Sequence, residues 1–443
     1  MSKVKKIGMI SLGCPKNQVD AEIMLARLKE DGFKIVNDSY DADLIIVNTC
    51  GFIESAKAEA IENIFDMVSI KEENPNLKVV VTGCLAERYQ NGITEEIPEV
   101  DGVIGIGANE DICELCHRVL DGESVSEFPP KENLKIEGDR ILTTPPYTAY
   151  IKIAEGCSNH CTYCAIPSIR GAFRSRPSES ILEEATCLAK KGVKELVVVA
   201  QDTTRYGEDL YGKNALVPLL KAISKVEGIE WIRLLYLYPE RIDDALIDEI
   251  ANNDKIVKYM DIPLQHCNER VLKRMNRHGN RESLTALLNK IRDRIEGVTL
   301  RTTFIAGFPG ETEEEFNELC DFVEEMRFER MGCFAYSEEE GTPAAKLDGM
   351  LDSEIREERA NIINERQSAI LDELNESLIE KRFEVIVEGY DSYNDVYYGR
   401  TTMDAPEIDM QIFFTSEEFL EDGDIEVVEV INVVDGELIG EVV

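Results

Sequence analysis

Short apolar runs alternate with amphipathic stretches from the start of the chain to residue 120. Runs rich in Ile and Val predict four strands, at 5–10, 44–48, 78–82 and 102–106. Apolar positions spaced three and four residues apart predict helices between them, at 17–29, 53–69 and 109–120. This alternation indicates a parallel sheet covered by helices. The polar segment that follows, up to residue 144, contains Pro129-Pro130 and predicts a linker.

The alternation restarts at Tyr147. Strand candidates recur at 150–155, 195–201, 231–237, 258–263, 299–306 and 332–337, with amphipathic helices between them. A closed barrel of this class needs eight strands. Six βα units therefore predict an open, partial (β/α)6 barrel.

The pattern changes after a long, charged helical segment at 352–381. Short alternating strands with Gly, Asp and Asn at the turns follow, at 383–387, 397–402, 410–414, 425–431 and 438–443. Such a series predicts a small antiparallel β-barrel. The predicted fold class is therefore α/β with a C-terminal β-barrel. We place the domains at 1–122, 147–376 and 377–443, with a linker at 123–146.

The charge balance is strongly acidic. The 443 residues include 48 Lys and Arg against 87 Asp and Glu, a formal net charge of −39. Segment 378–443 has three basic and eighteen acidic residues, a net charge of −15. A nucleic-acid binder needs cations against the phosphates, so we expect no direct nucleic-acid binding. The acidity suits solubility, a salt-adapted host or a strongly basic partner, and charge alone leaves these open.

The N-terminus resembles a signal peptide only briefly. Lys3, Lys5 and Lys6 precede a short apolar run that leads into Cys14, and we interpret the run as a first buried strand. No apolar run is long enough to span a membrane, so we expect a cytoplasmic protein. Because the cytoplasm keeps thiols reduced, the patterned members of the twelve cysteines are candidate metal or cluster ligands.

The strongest chemical signal is the spacing C-x3-C-x2-C of Cys157, Cys161 and Cys164, just after a predicted strand. Three thiolates this close can hold three irons of a [4Fe–4S] cluster and leave the fourth iron open to an amino acid's amine and carboxylate. The alternative is a zinc site with His160 as fourth ligand, but adjacent His160 and Cys161 strain a tetrahedral arrangement. An electron-transfer ferredoxin would show a further cysteine.

A second cysteine trio is dispersed along the first predicted sheet. Cys14, Cys50 and Cys84 each follow a predicted strand within a few residues, and each has a turn residue beside it. The carboxyl ends of parallel strands share one edge of the sheet, where ligands bind. Three thiols converging there would suit a second cluster with an open iron, although a lone cysteine is most often a core residue.

The other cysteines have weaker patterns. Cys113, Cys116 and His117 match a c-type haem motif, but that attachment belongs outside the cytoplasm. We predict helix core instead, with Ile112, Cys113, Cys116 and Leu120 on one face. We expect two isolated cysteines in helical core and leave two near strand ends unassigned: Cys187 and Cys320 in the first pair, Cys267 and Cys333 in the second.

Smaller signals lie at the strand ends of the second unit, where βα barrels form their sites. We select four residues there as candidate cofactor contacts. Tyr163 precedes the third cysteine and could stack on a nucleoside base. Gln201 and Gln265 follow strands, and Gly307 opens a glycine turn that lets a ligand approach the backbone. Packing or helix capping is the alternative for each. A nearby basic patch would bind a carboxylate or pair with surface acids: Arg170, Arg174 and Arg176.

Together these motifs resemble the radical S-adenosylmethionine methylthiotransferase family. Its members have an N-terminal cluster domain, a radical domain and a C-terminal TRAM domain, and the resemblance covers essentially the whole chain. Several stretches resemble the RimO branch, which modifies ribosomal protein S-twelve: 151–157, 199–207, 263–266, 300–305 and 339–344. The Gly-Gln-Asn and Gln-Ser-Gly stretches expected of the tRNA-modifying branch do not occur.

The resemblance implies cofactors, reaction and partner. It implies two [4Fe–4S] clusters, one on each cysteine trio, together with S-adenosyl-L-methionine and an external electron donor. The implied reaction uses a 5′-deoxyadenosyl radical to place a methylthio group on the β-carbon of an aspartate of ribosomal protein S-twelve. Both clusters should then face one cavity. That substrate is small and very basic, so the acidic C-terminal barrel is suited to steering it.

Two other functions stay open at this point. A tRNA methylthiotransferase would leave its product on a nucleoside, which mass spectrometry would detect. A non-enzymatic, ribosome-associated Fe–S protein would not cleave S-adenosylmethionine under reducing conditions.

Overall fold

The structure is a computed structural model that describes residues 4–443. It contains two helix-flanked parallel sheets followed by a closed barrel, as the pattern of strands predicted. Of the predicted basic N-terminus, Lys3 lies outside the described residues. Among the helices of residues 4–443, none combines the length and the apolar character needed to cross a membrane.

The first unit is a six-stranded, wholly parallel sheet. Its strands are β1 (Lys6–Ser11), β2 (Lys34–Ile35), β3 (Leu44–Thr49), β4 (Lys78–Gly83), β5 (Gly102–Ile104) and β6 (Val125–Glu127). Its helices are α1 (Pro15–Glu30), α2 (Glu54–Glu73), α3 (Cys84–Tyr89), α4 (Asn91–Glu96) and α5 (Ile112–Leu120). The strand order is β2-β1-β3-β4-β5-β6. The central strand β3 is buried at every position, because helices cover both faces of such a sheet.

The segment predicted as a linker is more ordered than its polar sequence indicates. It contains β6, which extends the first sheet in parallel to β5. Farther along, Thr143 donates to Glu22 of α1 through both its backbone N–H (2.8 Å) and its hydroxyl (2.9 Å). Arg140 is buried and donates to the carbonyl oxygen of Tyr150 (2.8 Å). The segment therefore packs between the first and second units.

The second unit contains the predicted six-stranded parallel sheet. Its strands are β7 (Thr148–Lys152), β8 (Ala154–Glu155), β9 (Arg174–Ser175), β10 (Glu195–Val199), β11 (Trp231–Leu234), β12 (Ile256–Asp261), β13 (Thr299–Ala306) and β14 (Arg330–Ala335). The sheet order is β14-β13-β12-β11-β10-β7, and β8 and β9 form a separate antiparallel pair. Within the described residues β7 and β14 pair on one side only, so the barrel is open.

Nine α-helices of the described chain belong to the second unit. They are α6 (Ile166–Arg170), α7 (Ser178–Lys190), α8 (Glu208–Tyr211), α9 (Leu216–Ile223), α10 (Asp244–Asn252), α11 (Glu269–Arg274), α12 (Arg281–Arg294), α13 (Glu313–Met326) and α14 (Ser353–Glu376). The last of them packs against β14 and α13 and covers the open edge of the barrel.

The third unit is a closed barrel of five strands. They are β15 (Arg382–Asp391), β16 (Val396–Thr401), β17 (Ile412–Thr415), β18 (Ile425–Val434) and β19 (Glu437–Val442). Every pairing is antiparallel except β17 with β19, which is parallel and closes the barrel. Buried ion pairs connect this barrel to the second unit. Glu195 of β10 pairs with Arg400 of β16 (2.6 Å) and with Arg233 of β11 (2.9 Å).

The isolated cysteines follow the predictions in part. Cys320 is buried in the core, as expected, but the prediction for Cys187 is wrong because that residue is exposed. Helix α7 buries Ile181, Ala185 and Leu188, and Cys187 lies on the opposite side. The two unassigned cysteines, Cys267 and Cys333, are both buried in the core of the second unit.

Helix α5 packs as core, with a shifted face. It buries Ile112, Leu115, Cys116 and Val119, while Cys113 is half-buried at the margin of the same core. His117 is exposed and contacts Asp31 (2.7 Å). Cys113, Cys116 and His117 thus serve as packing and surface residues of one helix.

Candidate active site

Three cysteines lie at the carboxyl edge of the first sheet. Cys14 directly precedes α1, Cys50 directly follows β3, and Cys84 directly follows β4 as the first residue of α3. The strands β1, β3 and β4 are neighbours in the sheet. All three thiols therefore share one edge, and the charge state of Cys14 affects the pKa of both Cys50 and Cys84.

Gly13 lets two of these loops touch. A side chain at Gly13 would lie 2.7 Å from Cβ and 3.1 Å from Sγ of Cys50. The backbone there has φ +93°, which glycine adopts without steric cost. The contact brings the loop that carries Cys14 directly against Cys50.

The electrostatic surroundings differ within this trio. Burial raises the pKa of Cys84 to about 12 and also raises the pKa of Cys50. Burial acts in the same direction on Cys14, but the cations of Lys16 and Arg170 outweigh it and lower the pKa of the Cys14 thiol. A lowered pKa favours the thiolate, which is the form that binds metal.

The second cysteine trio lies in the loop between β8 and α6. The backbone N–H of Cys157 donates to Gly171 O (3.1 Å), and that of Cys164 donates to Cys161 O (3.0 Å), which fixes the loop. The Sγ of Cys161 is 3.3 Å from the hydroxyl of Tyr238. Burial raises the pKa of Cys157 to about 11.

The two trios lie on either side of one contact between the units. Cys84 packs against Ala165 and Ile169, in the segment that directly follows Cys164. Nη2 of Arg170 donates to the Cys84 sulfur (3.4 Å). The structure thus brings the edge of the first sheet against the helix that follows the C-x3-C-x2-C loop.

Arg170 is the centre of a buried charge network across this contact. Nη1 of Arg170 pairs with Asp20 of α1 (2.7 Å) and Glu155 (3.0 Å), and Lys152 pairs with the same two carboxylates. Two cations thus balance two anions in a fully buried cluster. Although burial raises the pKa of Glu155, Arg170 and Lys152 hold it well below its usual range.

Of the three arginines in the predicted basic patch, two are buried and one is half-buried. Arg170 and Arg176 are buried, the second in an ion pair with Glu184 (2.5 Å). Arg174 is half-buried and donates to carbonyl oxygens of the linker, including Glu132 O (2.6 Å). Sequence spacing alone could not separate these roles, because the partners lie on other elements.

A cavity of about 730 Å³ lies between the first and second units. On one side it is lined by residues 52–55, which begin two residues after Cys50. On the other side it is lined by Tyr163, which directly precedes Cys164, by Gln265, and by the ends of β13 and β14. A second cavity, of about 680 Å³ between the linker and α7, is lined by no cysteine of either trio.

The four candidate cofactor contacts have different surroundings. Tyr163 and Gln265 both line the 730 Å³ cavity, and the Tyr163 ring packs edge-on against Phe308 at 6.5 Å. Gln201 donates to Glu155 (3.0 Å), and its amide oxygen is buried with no hydrogen-bond partner in the described chain. At Gly307 the close approach is that of Arg356, whose Cγ would lie 2.5 Å from an added side chain.

The donor groups of the two trios do not suit a single metal ion. Within residues 4–443, no three His, Cys, Asp or Glu side chains are arranged to hold one metal ion. His160 is exposed, with a positive φ of 52°. The zinc alternative therefore finds no donor set in the described chain. A [4Fe–4S] cluster binds each cysteine at a different iron, so two trios of thiols suit clusters.

An ion triad that the sequence did not predict joins the first unit to the end of β14. The carboxylate of Glu339 is buried and pairs with Arg88 of α3 (2.7 Å) and Lys57 of α2 (3.1 Å). The same guanidinium of Arg88 donates to the carbonyl oxygens of Gly51 (2.9 Å) and Glu340 (2.8 Å). The triad therefore fixes the residue after Cys50 against the second unit.

Three family models match successive parts of the chain. The model described as uncharacterized protein family UPF0004 matches residues 6–105, the radical SAM superfamily matches 151–323, and the TRAM domain matches 379–443. These parts correspond to the first sheet, the open barrel and the closed barrel.

Relatives match over nearly the full length. The ribosomal protein uS12 methylthiotransferase RimO of Acetivibrio thermocellus is 48% identical over 447 residues, covering 99% of this chain and 98% of the relative. The protein of the same name from Caldanaerobacter subterraneus subsp. tengcongensis is 50% identical over 439 residues, covering 99% of this chain and 100% of the relative.

Solved structures share the fold at low identity. TsrM from Kitasatospora setae, a radical S-adenosylmethionine methyltransferase with cobalamin and a [4Fe-4S] cluster bound, aligns with a TM-score of 0.58 and 15% identity. The alignment covers 78% of this chain and 77% of TsrM. The same enzyme with tryptophan and a SAM analog bound gives a TM-score of 0.55, over 77% and 75% of the two chains.

Proposed function

The chain belongs to the family of ribosomal protein uS12 methylthiotransferases called RimO, and from this membership we propose that it transfers a methylthio group to an aspartate of uS12. The substrate is a ribosomal protein, so we place the reaction in the cytoplasm, with electrons from an external donor. We assign residues 1–122 and 147–376 to the two cluster-binding domains and residues 377–443 to the TRAM domain.

We propose that six cysteines hold two [4Fe–4S] clusters. Cys157, Cys161 and Cys164 would hold the one that binds S-adenosylmethionine, and the second would lie on the trio at the first sheet edge: Cys14, Cys50 and Cys84. When bound, these groups supply the radical and sulfur chemistry. The donor sets favour this assignment, because each trio offers three thiols and no fourth cysteine ligand.

The cavity between the units is the observation that carries the proposal. Residues 52–55 and Tyr163 both line it, and each lies next to one of the proposed ligands, Cys50 and Cys164. Moving a group from one centre to a carbon activated at the other requires both centres to reach one substrate side chain. About 730 Å³ is room for a cofactor and one such side chain.

Buried ion pairs behind the cavity would keep this geometry. A balanced, buried network lies behind the contact between Cys84 and α6. It is formed by Arg170, Lys152, Asp20 and Glu155. Such a network is costly to break once one partner is removed, so it holds α1 against β7 and α6. The acidic TRAM domain, of net charge −15 over residues 378–443, would attract the basic substrate from a distance.

The test is anaerobic reconstitution followed by reaction with uS12. The wild-type protein should hold about eight irons, four per cluster. Cys161→Ala should abolish deoxyadenosine formation. Cys50→Ala should spare that cleavage but abolish methylthio transfer, which mass spectrometry of uS12 measures. Cys187→Ala is the matched control, since that thiol is exposed and outside both trios.

Two results would contradict the proposal. A Cys50→Ala protein that still modifies uS12 would remove the second cluster assignment. Modification of tRNA and not of uS12 by the wild-type protein would overturn the proposed substrate.

A further inference from the structure

Arg356 is the one basic side chain among the described residues that line the cavity between the units. The lining also contains four carboxylates, those of Glu54, Glu338, Glu339 and Glu357. Within residues 4–443, the Arg356 side chain forms no ion pair with any of these or with another carboxylate. It makes one hydrogen bond, to a backbone carbonyl, and lies 5.9 Å from the centre of the Tyr336 ring. A guanidinium without a carboxylate partner, in a protein of net charge −39, is a candidate to bind an anionic ligand.

The position of this guanidinium is fixed before any ligand binds. Nη1 donates to the carbonyl oxygen of Tyr336 (2.6 Å), and the stem lies against the backbone of Gly307, where no side chain would fit. Nε is buried and has no partner in the described chain. Buried Nε is out of reach of a ligand, but Nη2 has no partner in the described chain and suits a charge-assisted hydrogen bond to a carboxylate.

The carboxylates around Arg356 fall into two groups. Glu339 and Glu54 are both neutralised by Lys57, and Glu339 also pairs with Arg88. Glu338 and Glu357 are exposed and have no ion-pair partner in the described chain. The cavity thus offers one cation inside and two free anions at its rim. This pattern complements a carboxylate that basic residues flank.

We propose that Arg356 binds the carboxylate of the substrate aspartate, while Glu338 and Glu357 face basic residues beside it. The inference rests on the proposed function and names the residue that selects aspartate at that site. Two carboxylates could enter the cavity, that of the substrate and that of S-adenosylmethionine. A cluster held by Cys157, Cys161 and Cys164 would bind the second one at its open iron, which would leave the guanidinium for the substrate.

The test uses a uS12 peptide that carries the modified aspartate, mapped in the experiment above, and the same peptide with asparagine. Binding to the anaerobically loaded enzyme is measured by fluorescence anisotropy without reductant. Wild-type protein should bind the aspartate peptide about 10- to 100-fold more tightly than the asparagine peptide, as expected for hydrogen bonds to a charged group. Arg356→Gln should abolish this preference, and Arg356→Lys should keep part of it.

The control variant is Arg366→Gln, which removes the same charge from the exposed part of α14, where Arg366 pairs with Glu324. It should keep the wild-type preference. Arg366→Gln should also keep the wild-type rate of deoxyadenosine formation without peptide. An unchanged preference in Arg356→Gln overturns the inference. Weaker binding of S-adenosylmethionine by Arg356→Gln, with the peptide preference unchanged, would assign the guanidinium to that cofactor and equally overturn the inference. Failure of wild-type protein to modify uS12 would instead count against the proposed function.

Discussion

At Gly13 the backbone conformation directly affects the position of a proposed cluster ligand, Cys50. The positive φ of Gly13 and its contact with Cys50 leave no room for a side chain. Gly32 has a similar φ, +98°, but an added Cβ there would meet nothing within 4 Å. Alanine at Gly32 would therefore introduce only backbone strain, whereas alanine at Gly13 would introduce the same strain and also displace Cys50.

We expect Gly13→Ala to lose the first-unit cluster and keep the other. Strain at a positive φ costs about 1 kcal/mol in either variant, so Gly13→Ala and Gly32→Ala should share a small loss of stability. The displaced Cys50 should reduce the iron content of Gly13→Ala from about eight to about four. Iron analysis and deoxyadenosine formation, which should persist, check this. Equal iron content in the two variants would contradict the role of Gly13.

At the scale of elements, the Glu339 triad holds α2 and α3 of the first unit against the end of β14. We expect Glu339→Gln to loosen this contact, because it leaves Arg88 and Lys57 short of a buried partner, at a cost of about 3 kcal/mol. The variant should form more deoxyadenosine per methylthio group transferred, since the two proposed clusters are then less well positioned.

The neighbouring residue provides the control for this prediction. Glu340 is exposed, and Arg88 contacts its backbone carbonyl, so Glu340→Gln removes a charge without touching the triad. Its ratio of deoxyadenosine to product should equal that of wild type. A wild-type ratio in Glu339→Gln as well would show that the triad does not control the alignment of the units.

How far the elements follow from the sequence depends on their length. Strands of four or more residues, such as β3 and β13, could be predicted from the sequence, because apolar residues recur in them between turn residues. The short edge strands β2 and β6 did not, because two or three residues carry no period. Cys187 was misplaced for a related reason. A one-residue change of helical phase moves a side chain by about 100°, beyond the margin of the buried face.

Some residues of the site could be predicted from the sequence and others could not. Cysteines at strand ends could be placed together from topology alone, because parallel strands end at one edge. Arg170, Arg356 and Glu339 could not, since their partners are distant in sequence and only packing brings them together. The sequence predicted that the turn at Gly307 lets a ligand approach the backbone. In the structure the space beside Gly307 is occupied by Arg356 of α14.

At the scale of the whole molecule, a buried carboxylate links the open barrel to the TRAM domain. Burial acts to raise the pKa of Glu195, but Arg400 and Arg233 lower it to about 2. A depressed pKa gives stability that is present above the unfolded pKa, about 4.5, and is lost as pH falls toward 2.

We therefore expect this linkage to weaken in acid. The stability advantage of wild type over Glu195→Gln, measured by urea unfolding, should shrink by on the order of 1 kcal/mol between about pH 5 and about pH 3.5. In this pH range the Glu195 carboxylate of the wild type binds a proton when the protein unfolds, whereas glutamine at that position binds none. A difference in stability that is constant with pH would contradict the depressed pKa. Hydrogen exchange should show the loss first where β16 meets β10.

We expect one loop of the C-terminal barrel to contact a basic substrate. The loop at residues 416–422 buries Leu420 but exposes Phe419 (84% exposed) beside Glu417, Glu418 and Glu421. An exposed aromatic ring beside acidic side chains suits contact with basic side chains, through charge and cation–π attraction. The same charges would raise the rate of encounter more than the lifetime of the complex.

We expect replacement of Glu417, Glu418 and Glu421 by Gln to slow association with uS12 about tenfold at low salt, with little effect on dissociation. The difference should vanish at high salt, because screening removes long-range attraction. The control removes the same charge from exposed positions of α2, in the triple variant Glu59→Gln, Glu62→Gln, Asp66→Asn. Stopped-flow association rates over a salt series check both variants. An equal slowing in both would assign the effect to overall net charge, and no slowing in either would remove the TRAM domain from substrate capture.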